Sequence, residues 1–125
     1  MPKVNIVIYQ ENDGRVPLIE WLDEIPPKAQ DKCIVKIEML KEDGYELRRP
    51  HCDLLEDGIY ELRARPRLGR VNYRILYSFQ GKNLVLLSHG CTKEKKVPRT
   101  EINRAVRNRN NYIQNPKAHT YSGEM

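Results

Sequence analysis

At 125 residues, with 39% hydrophobic and 31% charged side chains, the chain is sized for one domain with a modest core. No run approaches the roughly 18 apolar residues of a membrane span and no apolar stretch follows Met1-Pro2-Lys3-Val4-Asn5 as a signal peptide requires, so a cytoplasmic location is expected. The formal charge of +5 hides an asymmetry: residues 1–59 carry 8 Lys/Arg against 13 Asp/Glu and residues 60–112 carry 13 against 3, which fits a polyanionic partner, nucleic acid before membrane, or else a solvated basic surface.

Val4, Ile6 and Ile8 alternate with Asn5, Val7 and Tyr9, the period of a strand. Asn12-Asp13-Gly14 reads as a turn, and Pro17 suits the first turn of a helix, where its missing N–H costs little. Leu18, Trp21, Leu22 and Ile25 follow at helical spacing until Pro26-Pro27. A second helix starts there, with Ala29, Cys33, Ile34, Ile37 and Leu40 on one face and Gly44 just past its end. Residues 45–57 read as irregular and polar.

After Asp57-Gly58 the period changes from 3.6 to 2. Tyr60, Leu62 and Ala64 alternate with Glu61, Arg63 and Arg65; Val71, Tyr73, Ile75, Tyr77 and Phe79 alternate with Arg70, Asn72, Arg74, Leu76 and Ser78. Leu84-Val85-Leu86-Leu87 is apolar on both faces, an interior strand joined to the one before by a two-residue turn at Gly81-Lys82. Pro98 and Thr100 open a last helix that ends near Tyr112-Ile113, with Arg104, Arg107 and Arg109 on its outer side. The order β-α-α-β-β-β-α describes a compact α+β domain of residues 1–115, an antiparallel sheet packed by helices. Residues 116–125 read as a flexible tail.

Cys33, Cys52 and Cys91 are an odd count without paired spacing and read as free thiols. His51-Cys52 and His89-x-Cys91 lack the tight C-x-x-C knuckle of structural zinc, so neither a metal nor another cofactor is expected. His51 and His119, in irregular segments, read as surface residues.

A two-residue turn at Gly81-Lys82 sets Arg74 opposite His89 and Asn72 opposite Cys91. With the preceding strand in register, one sheet face then gathers Arg63, Arg65, Arg74 and His89, with Lys93, Lys95 and Lys96 at its rim. Such a set suits RNA. Arginine forks grip phosphate, lysines add point charge, and Tyr73 or Tyr77 offers a ring to an unstacked base. His89 is suited to proton transfer, and neighbouring cations favour its neutral form. RNA cleavage needs no metal when its own 2′-OH attacks the adjacent phosphate. The protein must then align that oxygen, neutralise the phosphorane and help the 5′ oxygen leave. The plainer readings are a solvated arginine face, a hydrogen-bonded structural His89 and core tyrosines.

Several stretches resemble one family in the right order. Leu55-Glu56-Asp57-Gly58-Ile59-Tyr60-Glu61-Leu62-Arg63 resembles the L-x-D-G-L/I-Y-E-L-R stretch of the phage-derived, HigB-like branch of the RelE/ParE toxin superfamily. Arg70-Val71-Asn72-Tyr73-Arg74-Ile75-Leu76-Tyr77 is similar to its arginine-bearing strand, Ser88-His89-Gly90-Cys91-Thr92-Lys93 to its L-H-G-F-x-K-K strand end, and Pro98-Arg99-Thr100-Glu101-Ile102 with Ala105 to its closing helix. The resemblance implies a RelE-like type II toxin–antitoxin toxin: a metal-independent mRNA endoribonuclease working in the ribosomal A site. It also implies a cognate antitoxin, often of helix-turn-helix type, with the toxin a monomer or held in that complex. Arg63, Arg74, His89 and Lys93 match the family's catalytic positions, and Arg65, Arg70, Tyr73, Lys95 and Lys96 are the expected RNA contacts. Relatives of the same fold that bind DNA gyrase without cutting RNA, and a decayed RNA-binding relative, are the alternatives. Cys91 stands where the family usually has Phe, and Glu94, where a second Lys is common, would weaken the grip on phosphate.

Overall fold

The computed structural model describes residues 3–65, 71–93 and 95–123. Its elements run β1 (Asn5–Ile8), α1 (Pro17–Glu24), α2 (Pro27–Asp43), a 3₁₀ turn (Gly44–Glu46), β2 (Cys52–Leu54), β3 (Tyr60–Ala64), β4 (Asn72–Gln80), β5 (Leu84–Lys93) and α3 (Arg99–Gln114). The strands form one mixed sheet in the order β1-β5-β4-β3-β2, so the α+β class holds. The expected all-antiparallel sheet needs correcting at one edge, where β1 pairs with β5 in parallel through Asn5–Leu84 to Ile8–Leu87. The two helices between β1 and the later strands supply the long connection that this parallel pairing needs.

Helices α1 and α2 cover one face of the sheet and α3 covers the other. Leu18, Leu22, Cys33, Ile37 and Leu40 meet Leu62, Ile75, Tyr77, Val85 and Leu87 in the larger core. Ile34, expected on the inner face of α2, is turned outward instead. A smaller core joins Ile102 and Ala105 of α3 to Ile59, Leu76, Cys91 and Val97. Each large aliphatic side chain fully buried this way contributes on the order of 1.5–3 kcal/mol. At Gly90 the close approach is decisive, because a Cβ there would lie 2.0 Å from Cε3 of Trp21. Trp21 crosses β5 at that point, and its Nε1 donates to Thr92 Oγ1 at 3.0 Å.

The irregular stretch expected at 45–57 contains β2, which pairs with β3 through Cys52–Leu62 and Leu54–Tyr60. The segment after Pro116, expected to be flexible, pairs as far as Tyr121 with the end of β1 and the two residues after it. Thr120 bridges to Tyr9, the Tyr121 N–H donates to Ile8 O, and Gln10 N–H donates to His119 O. His119, expected at the surface, is buried, and its ring stacks on Tyr9 with centroids 5.2 Å apart. None of the described helices is long and apolar enough to cross a membrane.

Candidate nucleic-acid interface

The site begins with the pairing of β3, β4 and β5. Arg63 lies opposite Arg74 and Arg74 opposite Cys91, while His89 lies opposite Leu76 and Asn72 opposite Lys93. The register expected for the hairpin is therefore two residues out. The turn holds three residues rather than two, since Gln80 pairs with Leu84, and the ladder slips by one more between Leu76 and Tyr77. That slip leaves Ser88 as the extra residue of a bulge, so Ser88 and His89 both meet α3: Asn108 Nδ2 donates to Ser88 Oγ at 2.9 Å and His89 Nε2 lies 2.8 Å from Glu101 Oε1. Two one-residue shifts restore parity, and Arg63, Arg74 and His89 do share the face that α3 covers.

They do not share one environment. His89 is 1% exposed, with Nδ1 2.8 Å from Ser88 Oγ and Nε2 on Glu101. Burial holds its pKa below the ordinary histidine value, against the opposing pull of Glu101, while that same hydrogen bond holds the Glu101 carboxyl below its own. In the described state His89 fastens α3 to the sheet.

Arg74 is also buried, its side chain 8% exposed, beside Glu61 at 3%. Their approach is loose, Nε to Oε2 at 3.6 Å, and Arg74 Nε, Arg74 Nη1 and Glu61 Oε2, all shut off from solvent, have no hydrogen-bond partner among the described residues. Arg63 lies across from it with Nε on Glu61 Oε1 at 2.6 Å and Nη2 on Asp53 Oδ2 at 3.1 Å. Glu61 and Asp53 therefore hold these guanidiniums in place and draw on their charge, a pair of counter-ions that the strand pattern did not single out.

Where β2 gives way to Pro50, the edge of β3 opens into a groove of about 740 Å³. Arg63, Arg65 and Arg74 line it from the sheet and Lys32 and Lys36 from α2, with Asp31 the only carboxylate among the described lining residues. Asn72 also lines it, and Lys93, its cross-strand neighbour, is exposed. The lysines of α2 escaped the strand-by-strand reading, although Lys28, Lys32 and Lys36 recur every four residues and so share a helix face.

The remaining candidates are scattered. Lys95 and Lys96 are exposed. Tyr73 is half-buried on the opposite face, packed against Trp21 with ring centroids 6.3 Å apart. Arg70 and Glu94 lie outside the described residues. The arginines of α3 do not form one free stripe. Arg104 lines a small pocket of about 230 Å³ with Glu11, Glu20 and Glu24, and Arg109 donates to Asp57 O. Among the described residues no three His, Cys, Asp or Glu side chains gather as a metal site requires. The three cysteines are free and buried, and burial pushes Cys33 up to about 12 and Cys91 to about 11.

The model of the phage-derived Gp49-like protein family (DUF891) matches residues 20–110. The chain belongs to that family. Gp49-like proteins form part of the RelE/toxin-like superfamily, and the matched span runs from α1 to α3, taking in every residue that lines the groove. No match was found among curated proteins.

Proposed function

We propose that this chain is the toxin of a type II toxin–antitoxin pair and that it stops translation by cutting messenger RNA in the ribosomal A site, without metal or cofactor. Membership of the Gp49-like family is compatible with a toxin. The observation that carries the nucleic-acid part is the groove itself, which Arg63, Arg65 and Arg74 line together with Lys32 and Lys36. Guanidiniums and ammoniums gathered along one groove suit the oxygens of a phosphate backbone.

In the proposed reaction the 2′-oxygen attacks the adjacent phosphorus and the P–O5′ bond breaks. The 2′ proton passes to a base and the 5′ oxygen takes one up, leaving a cyclic phosphate and a 5′-hydroxyl. Arg74 and Arg63 hold the charge of the phosphorane, and Lys93 supplies the leaving oxygen's proton. His89 takes part only when α3 lifts from it. Arg65, Arg70, Lys95 and Lys96 bind flanking phosphates; Tyr73, on the other face, has no place in this reading. A helix-turn-helix antitoxin would silence the toxin by covering the groove.

A second reading, a non-catalytic toxin that binds DNA gyrase, is favoured by the enclosure of His89. Induced expression with primer extension of mRNA 5′ ends separates the two. Wild type is expected to arrest growth and create new 5′ ends in translated regions, and Arg74→Ala/His89→Ala to create none. Because that variant loses buried groups, Arg65→Ala/Lys93→Ala, altered only at exposed positions, is run beside it and is expected to reduce cutting at least tenfold. Growth arrest with intact mRNA overturns the nuclease reading in favour of the gyrase-type one.

A further inference from the structure

We infer that α2 carries a second phosphate subsite, formed by Lys32 and Lys36, so that a single RNA strand crosses the open edge of β3 from Arg74 to α2. The inference rests on the RNA-binding reading above and extends it to a helix outside the sheet face. One continuous groove joins the two groups of cations around that edge, where among the described residues no strand beyond β2 separates them.

Lys36 is half-buried and positioned rather than free to sweep: its Nζ lies 2.7 Å from His51 Nδ1. An ammonium can only donate, so Nδ1 accepts and the His51 proton sits on Nε2, a further donor beside the groove. Burial and the charge of Lys32, one turn earlier, both lower the Lys36 pKa, and among the described residues neither lysine has an ion-pair partner. Two like charges one helical turn apart, neither of them salt-bridged to Asp31 in the same wall, are relieved by an anion between them. Val35, 56% exposed in the same wall, offers apolar surface to a base. At the other end, Arg63, Arg65 and Arg74 line the groove and mark the first phosphate position.

The test uses the full chain and a fluorescein-labelled ten-nucleotide single-stranded RNA, with binding followed by anisotropy from 50 to 200 mM salt. Loss of two phosphate contacts in Lys32→Gln/Lys36→Gln is expected to weaken binding about tenfold at low salt and reduce the slope of log affinity against log salt by roughly 1.4. Glutamine suits a helix, and equal thermal melts establish that the fold is kept. Should the double variant melt early, the exposed Lys32→Gln alone is expected to reduce the slope by roughly 0.7. If wild type binds RNA, Arg65→Gln weakens it and the lysine variants keep the wild-type slope, the subsite is overturned while the RNA reading stands. If wild type binds no RNA, both fall. If a polyglutamate peptide of equal charge binds more tightly than RNA through the same lysines, the groove takes an acidic protein segment and the subsite for RNA is again overturned.

Discussion

At the scale of single residues, Glu61 governs the candidate site. It is 2% exposed, and it binds Arg63 closely and Arg74 loosely. A buried carboxylate between two guanidiniums keeps the folded state from burying Arg74 as an unpaired cation, and it competes with any phosphate that enters. Glu61→Gln is therefore expected to do two opposite things. Stability falls by about 3 kcal/mol, as when one partner of a buried ion pair is removed. RNA affinity rises about three- to tenfold, the upper end corresponding to ~1.4 kcal/mol. Urea unfolding and RNA anisotropy on the same preparation check both halves, and unchanged RNA affinity would show that Glu61 does not compete with phosphate. Glu61 was easy to pass over in the sequence, since one acidic residue in a basic strand looks like the polar side of an alternation. Nothing local announces that its neighbours across the ladder are Leu76 and, one step along, Arg74.

Among the elements, α3 depends on a small buried polar network. Ser88, His89, Glu101 and Asn108 tie it to β5, and Arg104 and Arg107 oppose a positive charge on the ring. His89 has a lower pKa folded than its ordinary value of 6.5, so the unfolded chain takes the proton first and stability drains away as pH falls below about 6.5. Glu101, also held low, adds a further loss as pH falls below its ordinary 4.5. The melting temperature is expected to drop between pH 7.5 and 5.5, and His89→Gln to flatten that limb, as thermal melts followed by circular dichroism would show. The helices and the long strands were legible because their apolar periods are strong: Leu18/Leu22, Cys33/Ile37/Leu40 and Ile75/Tyr77 were all found. The register was not, because turn length and a bulge are set by backbone geometry and by α3 packing on Ser88, which periodicity does not record. β2 was missed because three residues are too few to show a period, and the partner of β1 because a parallel pairing is made by residues nearly 80 positions apart.

For the molecule as a whole, the chain closes on itself beside β1. Tyr9 is fully buried under His119 and held by Asn111 Nδ2 at 2.9 Å, and the backbone of residues 119–121 covers the edge of β1. Deleting residues 116–125 is expected to uncover that ring and a strand edge together, lowering the melting temperature by several degrees and promoting association that light scattering would detect. The composition of this stretch gave no hint of it, since Pro, Lys, Ala, His and Thr become ordered only through what they touch. The charge asymmetry read from the sequence is likewise only part of the surface: Arg104 sits among carboxylates and Arg99 pairs with Glu56 and Asp57, whereas α2, within the acidic half of the chain, contributes lysines to the groove. The three-residue turn after β4 and the extra residue at Ser88 carry a consequence for descent. Each alone would put the arginines and His89 on opposite faces of the hairpin; together they cancel. Insertions and deletions at these two places should therefore be inherited as a pair, and a lineage that lost one without the other would have to rebuild the face or abandon it.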